Sequence, residues 1–480
     1  MSRLIVVSNR VAKSDGASKG SEGGLAVGVM AAMEKAGGIW FGWSGKVDNR
    51  NDKPKREARG NIEYITVNLK QSEYTQYYKG YANSVLWPLF HQRPELMVYS
   101  DTDFSGYLQV NKKFADEICH FLQPDDTIWI HDYHLIPLGK ILREAGVKNP
   151  IGFFLHTPFP SLDLLRTAPG YQEVLKNLMH YDLVGFQTET DHLGFCTGIS
   201  QGLGGEILRD GKLRLGHLHC TAKVYPISVE TGVLHEAAKA GESSDEWKKL
   251  ASSLAHRQLI IGVDRLDYSK GLVQRFQAYD RLLGHFKEFI RDVVYLQIAP
   301  TSRGDLQAYG DLAKRIDREA GHIIGTYADF DWMPLRYINR GFRRRTILAM
   351  YNLADVGLVT PLRDGMNLVA KEYVAAQSPD NPGVLILSEL AGAADELDAA
   401  LIVNPYDIDG MAGTLAKALK MPLDERIDRW RKMMDVLEAY DIHRWQALFL
   451  ADLKALTPAS ALILNSEPVA PTATVRPLRG

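Results

Sequence analysis

Short apolar runs rich in Val and Ile recur along this chain, separated by longer amphipathic stretches, and that alternation rules out most architectures. A run that is apolar at consecutive positions has no polar face to present to water, so it reads as a strand covered on both sides. Parallel strands joined by crossover helices provide that cover. Strands are expected at residues 4–8, 127–131, 151–156, 183–186 and about 224–227, with helices between them, one of them at 25–35. Between Glu230 and Gln258 the sequence turns charged and alanine-rich, and a second series of strands is expected at 259–263, 293–298, 356–359, 384–387 and 400–403.

The 480 residues also exceed what one hydrophobic core usually serves. The expected fold class is therefore α/β, with two doubly wound Rossmann-like domains, 1–230 and 231–456, facing an interdomain cleft. The last helical stretch, 424–456, is expected to pack back on the first domain. A flexible tail, 457–480, follows, marked by the three prolines of its ending NSEPVAPTATVRPLRG and no apolar periodicity.

Composition excludes several partners. With 56 Lys and Arg against 58 Asp and Glu, the formal charge of -2 supplies no field to draw nucleic acid or a membrane, so any anion site must be local. Cys119, Cys196 and Cys220 are widely spaced and odd in number, which fits a cytoplasmic protein without a disulfide framework or zinc ribbon. The opening MSRLIVVSNR is too short in apolar residues for a signal peptide, and no run is long enough to span a membrane.

Chemistry is expected where strands end, because ligands of open parallel sheets gather at their carboxyl edges. The first strand ends in Ser8-Asn9-Arg10, and the paired glycines Gly23 and Gly24 then open a helix. Backbone N–H groups there can hold a diphosphate near Arg10, although glycine pairs more often only make turns. His131-Asp132-Tyr133-His134 and His156-Thr157-Pro158 each close a strand. The His-x-x-His with Asp132 could take a metal, but no further cluster completes a ligand set, and contacts to sugar hydroxyls are the better reading. His156 is read as functional because the chain bends where its ring emerges.

In the second series, Asp264-Arg265-Leu266-Asp267-Tyr268-Ser269-Lys270-Gly271 puts two cations beside a helix N-terminus, where they can neutralise a leaving diphosphate. The plainer alternative is a surface pair of Arg265 with Asp267, worth at most about 1 kcal/mol. Arg303, in Thr301-Ser302-Arg303-Gly304-Asp305, can grip a phosphate through two N–H groups. The most specific stretch is PLRDGMNLVAKE at 361–372, a strand end, a glycine turn and a helix start. Asp364 can bind sugar hydroxyls there, the N–H groups of Asn367 to Val369 a phosphate, and Glu372 a ribose diol, unless Glu372 only compensates the helix dipole.

Taken in order, the SNR strand end, GGLAVG, WFGWSG, VLWPLFH, WIHDYHL, FFLHTPFP, RLDYSKG, APTSRGD and VTPLRDGMNLVAKEYVAAQ resemble the bacterial trehalose 6-phosphate synthases, retaining glycosyltransferases of the two-domain GT-B type. The resemblance runs from Arg3 to Leu456. It implies UDP-glucose as donor, glucose 6-phosphate as acceptor, UDP and α,α-trehalose 6-phosphate as products, no metal or other cofactor, and a homo-oligomer such as a tetramer. The first domain would mainly bind acceptor and the second mainly nucleotide sugar.

Residue by residue, the resemblance implies that Arg10, Tyr78, Asp132 and Arg303 hold the acceptor, with Trp87 and Thr157 shaping its pocket. It assigns Gly23 and Gly24 to the diphosphate loop and Arg265 and Lys270 to the donor phosphates. Phe342 would meet uracil through its backbone, and Leu368, Val369, Ala370, Lys371 and Glu372 would serve phosphate and ribose. His156 and Asp364 would bind the transferred glucose and, with Arg265 and Lys270, form the catalytic group. Which of Arg343, Arg344 and Arg345 faces the cleft stays open. So do the donor base, another phosphorylated acceptor such as glycerol 3-phosphate, and a sugar-phosphate sensor without turnover. The missing G-x-G-x-x-G argues against a nucleotide-dependent oxidoreductase.

Overall fold

The computed structural model of the chain describes residues 3–11, 30, 33–34, 36–50, 53–301 and 306–456. In chain order the strands of the first half are β1 (Leu4–Arg10), β2 (Gly38–Val47), β3 (Lys55–Arg59), β4 (Ile62–Leu69), β5 (Thr127–His131), β6 (Ile151–Phe154), β7 (Leu183–Phe186), β8 (Glu206–Ile207), β9 (Lys212–Leu215) and β10 (Leu218–Val224). They form one sheet in the order β3-β4-β2-β1-β5-β6-β7-β10-β9-β8. Its body from β4 to β10 is parallel, while the edge pairings, β3 with β4 on one side and β10 with β9 and β9 with β8 on the other, are antiparallel.

A second sheet takes β11 (Gln258–Val263), β12 (Val293–Ile298), β13 (Leu335–Ile338), β14 (Val356–Val359), β15 (Val384–Ser388) and β16 (Leu401–Val403) in the all-parallel order β13-β12-β11-β14-β15-β16. Every residue of β5, β6, β7, β12, β14 and β15 is buried, as expected for strands covered by helices on both faces. Strand order reverses beside β1, which lies between β2 and β5, and beside β11, which lies between β12 and β14. Those reversals open the crevices in which doubly wound sheets hold ligands.

Several expectations need correction. The strand expected near 224–227 is Leu218–Val224 instead: the chain pairs back on β9 and leaves the sheet before Pro226, which has no N–H to donate to a ladder. The strand expected at 151–156 ends at Phe154, so His156 stands clear of the sheet. The Gly- and Trp-rich β2, the alternating β4 and the short, half-buried β13 were not expected as strands, because none reads as a continuous aliphatic run. The stretch 424–456 is two helices, Leu423–Ala439 and Ile442–Ala455. The helix expected at 25–35 lies mostly outside the described residues, as do Gly23, Gly24, Arg303 and the tail 457–480.

The helices that matter for the cleft are α1 (Asp101–Phe121), α2 (Thr231–Gly241), α3 (Leu272–His285), α4 (Arg344–Leu353), α5 (Leu368–Ala376) and α6 (Ile442–Ala455). Although it comes last, α6 returns to the first sheet. Its Trp445 packs on Trp129 and Phe154, its Phe449 stacks on Trp129, and its Asp452 takes both the Lys223 ammonium and the Tyr225 hydroxyl. Gly152 permits this contact: a methyl group there would lie 2.8 Å from Phe449 and Leu453. Among the described residues no helix is long and apolar enough to cross a membrane.

Candidate functional site

The carboxyl ends of the central strands bring the expected segments together. Ser8 of β1 stands beside His131 of β5, and the Trp40 indole donates to the Ser8 hydroxyl at 2.8 Å, bracing the strand end that presents Arg10. Arg10 is exposed, and its guanidinium lies along Gly45. Tyr78 comes from the helix Tyr74–Leu86, which is wound with i to i+5 bonds, a form that recurs at functional sites. Its ring stacks on His134, 5.7 Å between centroids. The same helical run delivers Trp87, buried at the cleft.

Asp132 adopts φ 75° and ψ 163°, a region that a non-glycine residue enters only under constraint. Its N–H is held by the Phe154 carbonyl and its Oδ1 accepts from the His156 N–H at 3.3 Å, so one strained residue ties two strand ends together. His131 Nδ1 lies 3.1 Å from His156 Nε2. Thr157 is buried, and its hydroxyl has no partner among the described residues.

From the second sheet, the loop after β11 presents Arg265 and Lys270. The Arg265 guanidinium lies over the Trp87 ring, 5.8 Å from its centre, so this cation bridges the two halves. Asp267, fully buried, accepts from the Ser269 N–H at 3.1 Å, the Tyr309 hydroxyl at 3.0 Å and the Trp87 indole at 3.4 Å. It shapes the loop rather than serving as the surface partner of the plainer alternative. Lys270 is paired with Asp364 at 2.5 Å, and Asn367 donates to the same carboxylate oxygen at 2.9 Å. Burial pushes the Asp364 carboxyl up, but Lys270 outweighs it, with help from His91 and Asn367, and the carboxyl ends below its ordinary value.

Gly365 lets the two halves touch: a methyl group there would lie 2.1 Å from the His156 carbonyl oxygen. Asn367, in the left-handed region at φ 71°, starts α5 and leaves the first N–H groups of Leu368 and Val369 at a helix N-terminus. Ala370 is buried behind them. Glu372 is held by Arg344 at 2.6 Å, which places that arginine of the triplet against the α5 carboxylate. The Lys371 side chain is buried and turned away, pairing with Glu396 and donating to the Ile227 carbonyl at 2.8 Å, so only its backbone can serve a ligand. Phe342, buried beneath Arg340, borders a hollow of ≈ 550 Å³ with Arg336 and Met350.

His91 was missed as a site residue. It lies at the end of the Trp87–Phe90 turn with Nδ1 2.8 Å from the Trp87 carbonyl and its ring 3.9 Å from the Trp87 ring. Burial pushes it down to about 4 against the pull of Asp267 and Asp364. Its place at the end of VLWPLFH was a weak signal, because nothing local shows that the second sheet covers it. Arg363 is a second residue missed; it reaches Asp191 of the first half at 3.4 Å. Among the described residues, no three His, Cys, Asp or Glu side chains gather as a metal-binding group.

Two facing parallel sheets, with cations and a helix N-terminus on one side of a crevice and imidazole, indole and carboxylate on the other, define a glycosyltransferase of GT-B architecture. The chain belongs to glycosyltransferase family 20, whose model matches residues 2–455. It is 48% identical over 460 residues to the trehalose-6-phosphate synthase of Cronobacter sakazakii, covering 96% of this chain and 97% of that one. Among solved structures, the α,α-trehalose-phosphate synthase (UDP-forming) from Burkholderia vietnamiensis matches with TM-score 0.93 and 47% identity, over 96% of this chain and 99% of that chain. The Burkholderia xenovorans enzyme in complex with glucose-6-phosphate matches with TM-score 0.91 and 48% identity, over 94% and 100%. The Escherichia coli protein bound with UDP-2-fluoro glucose matches with TM-score 0.91 and 47% identity, over 95% and 100%.

Proposed function

We propose that this chain transfers glucose from UDP-glucose to glucose 6-phosphate with retention, forming α,α-trehalose 6-phosphate and UDP. The observation that carries the reading is the meeting of Arg265 over Trp87 and of Lys270 on Asp364 beside the start of α5. Cations suited to a departing diphosphate there adjoin groups suited to a sugar. The relatives named above support both substrates, since one was solved with glucose-6-phosphate and another with UDP-2-fluoro glucose.

In this proposal the first half mainly holds acceptor and the second half mainly donor. Arg10 and Arg303 clamp the acceptor phosphate, Tyr78, Asp132, Trp87 and Thr157 shape its sugar pocket, and His156 and Asp364 hold the transferred glucose. Gly23 and Gly24 approach the diphosphate, the backbone at Phe342 meets the base, and residues 368–372 serve phosphate and ribose. As the bond from the anomeric carbon to the diphosphate breaks, Arg265 and Lys270 stabilise the charge left on UDP. The acceptor's anomeric hydroxyl forms the new bond on the same face and gives its proton to a leaving phosphate oxygen, so no protein nucleophile and no metal takes part. Contact between the halves at Gly365 and His156 excludes water from a hydrolysable donor. Cytoplasmic location, a homo-oligomeric state and a role in osmoprotection belong to the same proposal.

Turnover of purified protein in EDTA with UDP-glucose and glucose 6-phosphate, followed by UDP release and NMR of the product, tests it. α,α-Trehalose 6-phosphate is the expected product; no UDP release, or a product of another configuration, overturns the reading.

A further inference from the structure

His131 ends β5 and His156 follows the neighbouring β6, and their ring nitrogens meet at 3.1 Å. Burial pushes the His156 imidazole down to about 3, and burial, then the repulsion two protonated rings would feel, holds His131 well below its ordinary value, so both rings are neutral. Two neutral imidazoles can share the contact in only two ways. Either His131 carries Nδ1–H and donates, or His156 carries Nε2–H and donates, in which case the His131 proton sits on Nε2.

The far side of His131 separates these. Its Nε2 is buried with no partner among the described residues. Besides His156, the rings against it are Trp129, with centroids 4.5 Å apart, and Phe154, at 6.4 Å. The Phe154 ring has no polar atom, and the Trp129 indole offers only an N–H, which lacks a partner among the described residues. An Nε2–H on His131 would be a buried donor facing no acceptor. A bare lone pair there is the less costly state, since orphaned N–H groups are the rarer defect.

We infer that His131 donates its Nδ1–H to His156 and thereby locks His156 in the Nδ1–H tautomer, making His156 a hydrogen-bond donor to an oxygen of the transferred sugar. His131 is a positioning residue, acting only through its neighbour. The role at the sugar rests on the donor-site reading above; the tautomer does not. A donating His156 accepts a hydroxyl oxygen and refuses an ammonium group at the same sugar position, which gives the pocket a chemical preference.

NMR of the full chain carrying ¹⁵N-histidine tests this, with His156→Gln to assign the signal. The expected result is an N–H nitrogen at His156 Nδ1 and a bare, pyridine-like nitrogen at Nε2; the reverse pattern overturns the inference. His131→Leu removes the donor and is expected to mix the His156 tautomers and lower kcat/KM for UDP-glucose by about tenfold. His131→Asn, whose amide can still donate from nearly the Nδ1 position, is expected to restore the single tautomer and most of the rate. A His131→Leu enzyme with the His156 tautomer unchanged sinks the idea, even if its rate falls. Adding UDP-glucose to the wild-type sample separates the two readings: a correct tautomer whose Nδ1–H resonance does not move would refute the sugar contact while the His131 assignment stands.

Discussion

Lys270, on the loop after β11, holds Asp364, on the loop after β14, with its ammonium 2.5 Å from Oδ2, and both side chains are largely shielded from water. The pair joins two loops at the reversal of strand order in the second sheet, and under the proposed function it sets the cation where a leaving diphosphate would collect charge. A buried pair of this kind stabilises little beyond its own desolvation cost. Under that proposal its value lies in placing charge ahead of the reaction.

Lys270→Met should therefore act on catalysis more than on folding. A loss of kcat by about 10²- to 10³-fold is expected, the size seen when one preorganised charge-stabilising donor is removed. Without Lys270, burial dominates at Asp364 and raises its carboxyl, so the acid limb of the kcat profile should move to higher pH. Steady-state rates across pH check both, and an unchanged kcat removes Lys270 from the chemistry.

Gly365→Ala places a methyl group against a backbone carbonyl that cannot rotate aside. The cleft should open by a fraction of an ångström or more, at a cost of about 1–3 kcal/mol in stability, while kcat/KM falls about 10²-fold because the reacting atoms lose alignment. Urea unfolding and steady-state kinetics on the same preparation give both numbers.

His91 couples the site to pH. Its folded value, about 4, is depressed below the ordinary 6.5, so the unfolded chain binds a proton that the native site refuses. Stability is thus fully present above about pH 6.5 and declines as pH falls toward 4, by about 3 kcal/mol for this one group. His156, depressed to about 3, adds to the same slope. Asp267, Asp364 and Lys270 are the charged groups that face His91. Urea midpoints between pH 4.5 and 7.5 should show the decline, and His91→Asn should flatten it.

Trp445→Ala should unfold the junction between chain end and first sheet. The ring is fully buried against Trp129 and Phe154, and removing it is expected to cost about 3–5 kcal/mol. Calorimetry measures that cost. A Tm unchanged from wild type would show that α6 does not hold the first sheet.

The sequence by itself determined the class of fold and the identity of the polar strand ends. Uninterrupted aliphatic runs such as Val293–Ile298 leave no face for water, and groups such as Arg265, Lys270 and Asp364 stand directly after such runs, where local order alone puts them at a sheet's edge. It did not reveal β2 or β4, whose glycine-, aromatic- and polar-bearing runs become strands only because β1 pairs with β2 and β2 with β4. Nor could it show that Lys371 turns inward to Glu396, that Arg344 takes Glu372, or that His131 backs His156, because each partner lies 25 or more residues away. Such contacts are selected when helices and sheets pack and buried charges and ring nitrogens must find partners, a constraint that exists only once the tertiary structure has closed.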